Sequence, residues 1–423
     1  MKLALLGCDD EALALLTSAV LDGIHTLVAA YDAAGFVPRL RALVPRARFD
    51  DDWESLLVAS GIDAVIVARG RFDPSAESGF SADERRVDQL RKLAQAAVPM
   101  LVIHPACEMI VGYELEMIRA DSGGVMQPYV PGLAHPVVAE IEALAAGDSS
   151  PLGEIEQITL ERQLSDRSRA AVLTQFARDA SLLRRLVGTI RQVSASGPAG
   201  SEYQDPLAAR TRIPPSLANL SVHISGGRPF SARWSVGPID DLAGGKLTLI
   251  GSRGRAMLRM PSGVNRPWEL EVAGTEQRLA YEPFDEGEQA LAALQQAVEQ
   301  GREHTSTWID VCRDLEAAAA IDRSLEKGRA IALYADEISE EQSFKGVMAV
   351  AGCLVLAATL AGLLLVVMVE ALQLEVRRAP LWRAWPVILV TPIIVFLLLQ
   401  SLKSVARKPK ERPTPVVDSA IGS

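Results

Sequence analysis

Cysteine is scarce in this chain of 423 residues, and the four present, Cys8, Cys107, Cys312 and Cys353, stand far apart with no C-x-x-C pair. Neither a disulfide framework nor a zinc site has its spacing here, so reduced thiols are expected. Basic side chains are also in the minority. The 43 Lys and Arg against 53 Asp and Glu give a net charge of -10, which argues against a nucleic-acid partner because phosphate binding needs a basic face. No Gly-x-Ser-x-Gly elbow lies between a strand and a helix, which leaves a serine hydrolase without support. His25, His223 and His304 have no acidic or cysteine partners at ligand spacing, so no metal site is expected. No repeat or low-complexity tract occurs, and 49% hydrophobic residues are ample for the cores of two domains.

A glycine is missing where it matters. The opening Met1-Lys2-Leu3-Ala4-Leu5-Leu6-Gly7-Cys8-Asp9-Asp10-Glu11-Ala12 reads as a strand, tight turn and helix start of the dinucleotide-binding kind, with Asp9 in place of the second glycine of G-x-G-x-x-G/A. That glycine lets the backbone approach a pyrophosphate resting on the helix N-terminus. A carboxylate about 5 Å from a phosphate charge, at an effective dielectric of about 20, repels it by roughly 3 kcal/mol before solvent screening. The helix dipole returns only about 0.3–1 kcal/mol. Asp9 instead suits an N-cap, with Asp10 and Glu11 in the first turn. Ala12 is acceptable at the third glycine, and Asp32 closes the apolar run 26–31, where an acid usually bonds the adenosine ribose. Gly7, Asp9, Ala12 and Asp32 are therefore the candidate cofactor positions.

Leu5-Leu6-Gly7-Cys8 has the letters of a lipoprotein cleavage box, but the apolar stretch before the cysteine is five residues, short of the about 7–15 of a signal peptide. Export is not expected, and Leu3 to Leu6 reads as a buried parallel strand. The other end of the chain differs. Residues 346–369 form an uncharged run long enough for a bilayer-crossing helix of about 20 residues. A second run, 386–402, has 17 residues interrupted by Pro392 and is flanked by Trp382 and Trp385, rings that favour the headgroup level. Lys345, Lys403, Arg407, Lys408, Lys410 and Arg412 lie outside the pair, against Arg377, Arg378 and Arg383 between them. Six against three favours both ends, and the N-terminal body, on the cytoplasmic side of a two-span membrane protein. The basic, proline-bearing tail 403–423 is expected to be disordered.

Residues 1–130 alternate short apolar runs, such as Asp63-Ala64-Val65-Ile66-Val67-Ala68 and Pro99-Met100-Leu101-Val102-Ile103, with helix-period segments. That pattern predicts an α/β, Rossmann-like parallel sheet. Over 131–340 the runs lengthen and take a period of two, at 156–163, 217–225, 230–236, 246–251, 255–260 and 268–272. They predict an α+β domain whose mostly antiparallel sheet is covered on one face by helices near 170–187, 285–300 and 307–327. The Gly-, Ser- and Pro-rich stretch 197–215 is expected to be a loop.

Three segments carry a resemblance. Lys246-Leu247-Thr248-Leu249-Ile250-Gly251-Ser252-Arg253-Gly254 is similar to the "GskG" strand-turn of the Gfo/Idh/MocA family of glucose-fructose oxidoreductase and inositol dehydrogenase relatives. Asp310-Val311-Cys312-Arg313-Asp314-Leu315-Glu316-Ala317, continued by Ser324, Gly328, Arg329 and Ile331, resembles that family's closing segment. The stretch 136–155, ending Leu152-Gly153-Glu154-Ile155, resembles its bridge into the second domain. The resemblance covers about residues 1–334. It implies a nicotinamide cofactor, NAD(P), a sugar, inositol or polyol substrate, and pairing of copies into a homo-oligomer through the open face of the second sheet.

It also implies a lysine in an E-K-P turn, and often a histidine in a D-x-x-x-H-x-x-D helix, to move the substrate proton. Here the turn reads Ile103-His104-Pro105, and the helix runs from Thr174 to Ser181 with Arg178 at the histidine position. The strand end before the bridge reads Tyr129 to Pro136. Departures thus fall at the pyrophosphate turn, the lysine, the histidine helix and this strand end.

His104 and Arg178 are the catalytic candidates. Histidine titrates near neutrality and stands at a strand end where ligands bind, or is hydrogen-bonded in its proline turn. Arginine cannot act as a base, so Arg178 with Asp179 either binds an anion or, with Arg184 and Arg185, forms a solvated face. His135, before Pro136, reads as a turn residue. The expectation is a membrane-anchored relative with degenerate motifs that binds a sugar-like ligand or acts as a scaffold. The alternatives are an active NAD-dependent oxidoreductase using His104 and Asp32, and a protein whose membrane hairpin is the working part. No charge lies inside either apolar run, which gives a transport path little support.

Overall fold

The computed structural model describes residues 1–333 apart from 22, 59–60, 70–83, 147–149, 198–216, 239–243, 262–265, 274–277, 283 and 302–306, together with 359–364, 366–368 and 371–372. The chain divides into two units, Met1–Ala335 and Asp336–Ser423. In the first, six parallel strands, β1 (Lys2–Leu6), β2 (Thr26–Tyr31), β3 (Arg48–Asp50), β4 (Ala64–Val67), β5 (Met100–Ile103) and β6 (Met126–Tyr129), are ordered β3-β2-β1-β4-β5-β6. Strands β4 and β5 are buried at every residue, as a sheet covered on both faces requires. The order reverses between β1 and β4, the switch point outside which open α/β sheets bind ligands. Among the described residues these strands are accompanied by the α-helices α1 (Asp10–Leu21), α2 (Val37–Leu43), α3 (Glu84–Gln95) and α4 (Met109–Ser122).

The second sheet has nine strands: β7 (Ile155–Gln163), β8 (Gln192–Ser196), β9 (Ser221–Ser225), β10 (Ser231–Gly237), β11 (Gly244–Gly251), β12 (Gly254–Pro261), β13 (Trp268–Val272), β14 (Arg278–Tyr281) and β15 (Ile331–Ala332). All its pairs are antiparallel except β7 with β10. Alternation sets its two faces: Ala232, Trp234 and Val236 of β10 are buried while Arg233 is exposed. The helices α5 (Pro136–Ala145) and α6 (Arg169–Val187) contribute to the core on the covered face.

Two of the resembling segments meet in space. The Gly251-to-Gly254 turn joins β11 to β12, with the amides of Ser252 and Arg253 donating to the carbonyls of Glu154 and Leu152 at 2.9 Å each. A Cβ on Gly251 would lie 2.4 Å from the Leu152 carbonyl oxygen, so only glycine admits this approach.

Two expectations about helices are corrected. The helix α7 (Glu286–Gln300) does not cover the second sheet; its Leu291 and Leu294 join Leu15, Leu16 and Leu101 in a core on one face of the first. The helix α8 (Trp308–Lys327) serves both sheets, with Trp308 to Leu315 in one core and Ala317 to Ile321 in the other. A helical period reveals an apolar stripe but carries no address for it. Strands β3, β8, β14 and β15, short or polar, were not foreseen by pattern.

The apolar run 386–402, the tail 403–423 and most of 346–369 fall outside the described residues. Residues 359–364 and 366–368 are helical, with Leu360, Leu363, Leu364, Val367 and Met368 exposed. Among the described residues no helix is long and apolar enough to cross a membrane, so the two expected spans find no support there.

Candidate functional site

At the switch point β1 is followed by Gly7, whose φ of +74° is the left-handed turn expected of a first glycine. Asp9 caps α1: its Oδ1 accepts from the Ala12 amide at 2.8 Å, with Asp10 and Glu11 following in the first turn. The helix N-terminus therefore already holds a carboxylate, and that carboxylate is paired. Arg69, just past β4, donates from Nε to Asp9 Oδ2 at 3.2 Å and bridges Glu11 Oε2 at 3.2 Å.

Arg86, near the start of α3, is 3% exposed and donates to the Leu6 carbonyl at 3.2 Å. Its guanidinium lies against Gly7, where a Cβ would come within 2.2 Å of one terminal nitrogen. Asp32, with a φ of 52°, faces Arg85 at 3.6 Å and Arg86 at 3.7 Å. These guanidinium groups offset the field that an isolated Asp32 would direct against a 2′-phosphate.

On the far side of the crevice the His104–Pro105 bond is cis, and His104, 1% exposed, places Nε2 at 3.2 Å from the Ala177 carbonyl. A carbonyl only accepts, so Nε2 carries the hydrogen and Nδ1 presents its lone pair. No group among the described residues bonds that Nδ1. Burial takes the imidazole down to about 3, which corrects the expectation of a titration near neutrality.

Arg178 and Asp179, adjacent in sequence, point to opposite partners. Arg178 places both terminal nitrogens on the Glu11 carboxylate and its Nε on the His104 carbonyl at 3.1 Å, clasping α6 to α1 and to the end of β5. Asp179, 3% exposed, accepts from Arg162 Nε at 2.8 Å, Trp234 Nε1 at 2.8 Å and Gln175 Nε2 at 3.1 Å in the second sheet's core. Arg184 is tied to Asp310 at 2.9 Å and to Asp314 at 3.0 Å. The anion-binding pair and the solvated arginine face expected from sequence are both replaced by ion pairs.

Pattern reading overlooked Arg69 and Arg86. Both had a signal: Arg69 follows a central strand of the parallel sheet, and Arg85 and Arg86 stand in the first turn of a helix, where the dipole disfavours cations. Such placement implies a local carboxylate or carbonyl partner.

In a dinucleotide-binding turn the pyrophosphate meets the bare backbone of the first glycine and free amides at the helix start. Here Arg86 covers the first and Asp9 takes one of the second. Asp9 is not a lone charge, since Arg69 pairs with it.

A part-buried acid lies nearby. Glu286, at the start of α7, accepts from the Gly132 amide, and burial pushes its carboxyl up to about 7. Because the unfolded group titrates near about 4.3, the folded state holds the extra proton between those values, and stability falls as pH rises through that window, by up to about 3 kcal/mol. Glu286→Gln retains an acceptor for Gly132 and is expected to flatten the slope in denaturant titrations between pH 4.5 and 7. An unchanged slope would assign it to other groups.

No family model matches the chain, and no curated protein matches it in sequence. Solved structures do. A myo-inositol dehydrogenase from Corynebacterium glutamicum superposes with a TM-score of 0.58 at 18% identity, over 79% of this chain and 98% of its own. A 3-ketoreductase from Actinomadura kijaniata, solved with NADP and TDP-benzene, gives 0.60 at 14% over 77% and 97%. An aldose-aldose oxidoreductase from Caulobacter crescentus, complexed with glycerol, gives 0.61 at 14% over 79% and 99%. The N-terminal unit shares the fold of these oxidoreductases, and solved neighbours of that fold hold NAD+ or NADP.

Proposed function

We propose that this chain uses the oxidoreductase scaffold without its hydride chemistry, as a ligand-binding or scaffold protein held at the cytoplasmic face of a membrane. The observation that carries this reading is the filled coenzyme cradle, with Arg86 against Gly7 and Asp9 bonded to the Ala12 amide of α1. The arginine at the histidine position agrees with it, since Arg178 cannot take up a proton and both its terminal nitrogens rest on Glu11. The anchor rests on the uncharged run 346–369, and the exposed leucines at 360, 363 and 364 are consistent with an apolar environment for that helix.

NADH titration of the full chain, followed by tryptophan quenching and melting temperature, is expected to show no saturable binding below millimolar concentration. Micromolar binding would overturn the reading and return the chain to the active NAD-dependent oxidoreductases of sugars, inositols or polyols. One observation favours that second reading: the Nδ1 of His104, at a strand end, has no partner among the described residues. Alkaline carbonate should leave the full chain in the membrane fraction, and release by carbonate would remove the anchor.

A further inference from the structure

Away from the crevice, a cavity of about 580 Å³ lies beside the edge strand β6, between α5 and α7. Its volume is within the about 300–1,000 Å³ of small-molecule sites. Three alanines of α7, Ala290, Ala292 and Ala293, line it where larger side chains would close it, and Tyr129 and Phe284 supply ring surface.

One polar group in the lining is held rigidly. His135 is 5% exposed, its Nδ1 accepts from the Val137 amide at 3.3 Å, and its ring stacks on Trp268 at 4.3 Å with 4° between planes. Phe284 meets the ring edge-on at 5.6 Å. With Nδ1 accepting, the hydrogen sits on Nε2, and no hydrogen bond from that nitrogen exists among the described residues. Burial disfavours the charged imidazolium, which keeps the group a neutral donor. The charged side chain in the lining, Arg185, is already bonded to Glu142 at 3.3 Å. An ion entering the cavity would lose its hydration and meet no unmatched counter-charge.

We propose that this cavity is a binding site for a neutral, flat, largely apolar molecule with one hydrogen-bond acceptor, such as an aromatic amide or ketone, which the Nε2–H of His135 reads. The ring lies among apolar surface, and its acceptor satisfies the one polar group fixed by capping and stacking. This assignment is independent of the reading of the coenzyme crevice.

Saturation-transfer NMR on the full chain with 2-naphthamide, 2-naphthoate and naphthalene tests it, with Ala293→Phe as the filled-cavity control that subtracts partition into lipid or detergent. The amide is expected to bind at least tenfold more tightly than the carboxylate or the hydrocarbon, and to lose its site-specific signal in Ala293→Phe. His135→Phe keeps the stack and should weaken the amide about tenfold. If loss of the α5 cap unfolds that variant, the comparison of amide with naphthalene in the unmodified protein reads the same hydrogen bond. Equal signals from the three probes, an amide signal unchanged in Ala293→Phe, or no amide signal at its solubility limit would overturn the proposal.

Discussion

Asp179→Ala is expected to lower the stability of the N-terminal unit by about 3–5 kcal/mol, the usual consequence of removing one partner from a buried, hydrogen-bonded ion pair. The carboxylate is 3% exposed and receives three side chains: the Arg162 guanidinium from β7, the Trp234 indole from β10 and the Gln175 amide one turn earlier in α6. Alanine leaves Arg162, itself 16% exposed, as an unmatched charge, and strands the indole hydrogen of a fully buried tryptophan. Asp179→Asn keeps an acceptor but not the charge, so about half of the loss should return. Chemical denaturation followed at the tryptophan bands would measure both. A loss below about 1 kcal/mol for alanine would show that the neighbourhood rehydrates on truncation.

The paired substitution Asp9→Gly with Arg86→Ala is expected to create NADH binding where the parent has none, or to tighten it at least tenfold, about 1.4 kcal/mol. The first change removes a carboxylate from the pyrophosphate position, and glycine at an N-cap costs only a few tenths of a kcal/mol relative to aspartate. The second uncovers Gly7, whose backbone already has the turn geometry required. Neither change should suffice alone, because Arg86 would still cover the glycine in the first and Asp9 would still hold the Ala12 amide in the second. Fluorescence titration of the four proteins gives the coupling between the sites directly. An affinity unchanged in the double variant would mean that the crevice is closed by something other than these two residues.

Much of the scaffold was legible because its signals are local. Period-two runs marked β7 and β9 to β13, helical stripes marked α6, α7 and α8, and the capping chemistry of Asp9 followed from a single residue type at a helix start. What escaped was non-local. Whether Leu291 and Leu294 face one sheet or another depends on the chain's path, not on their spacing. Likewise Arg178 and Asp179 read as a pair on paper, yet neighbours on a helix diverge by about 100°, enough to send one to α1 and the other into the second sheet. The arginines of the crevice were missed for the converse reason: Arg69 and Arg86 are separated by a stretch with no pattern of its own, and only folding brings them to the same few ångströms around β1.

The helix α8 runs without interruption from one core into the other. Trp308 donates to the Gly112 carbonyl of α4 at 3.0 Å, and a Cβ on Gly112 would stand 3.1 Å from Leu315, so the N-terminal half is wedged tightly against the first sheet's helices. Further along, Ser324 accepts from the Ala195 amide at 2.9 Å and binds the opposite half to β8. A spar fastened at both ends resists the scissoring by which two-lobed proteins open and shut around a guest. The two lobes should therefore melt together in one calorimetric peak, and any molecule reaching the crevice between them must enter by displacing side chains, not by swinging a lobe aside.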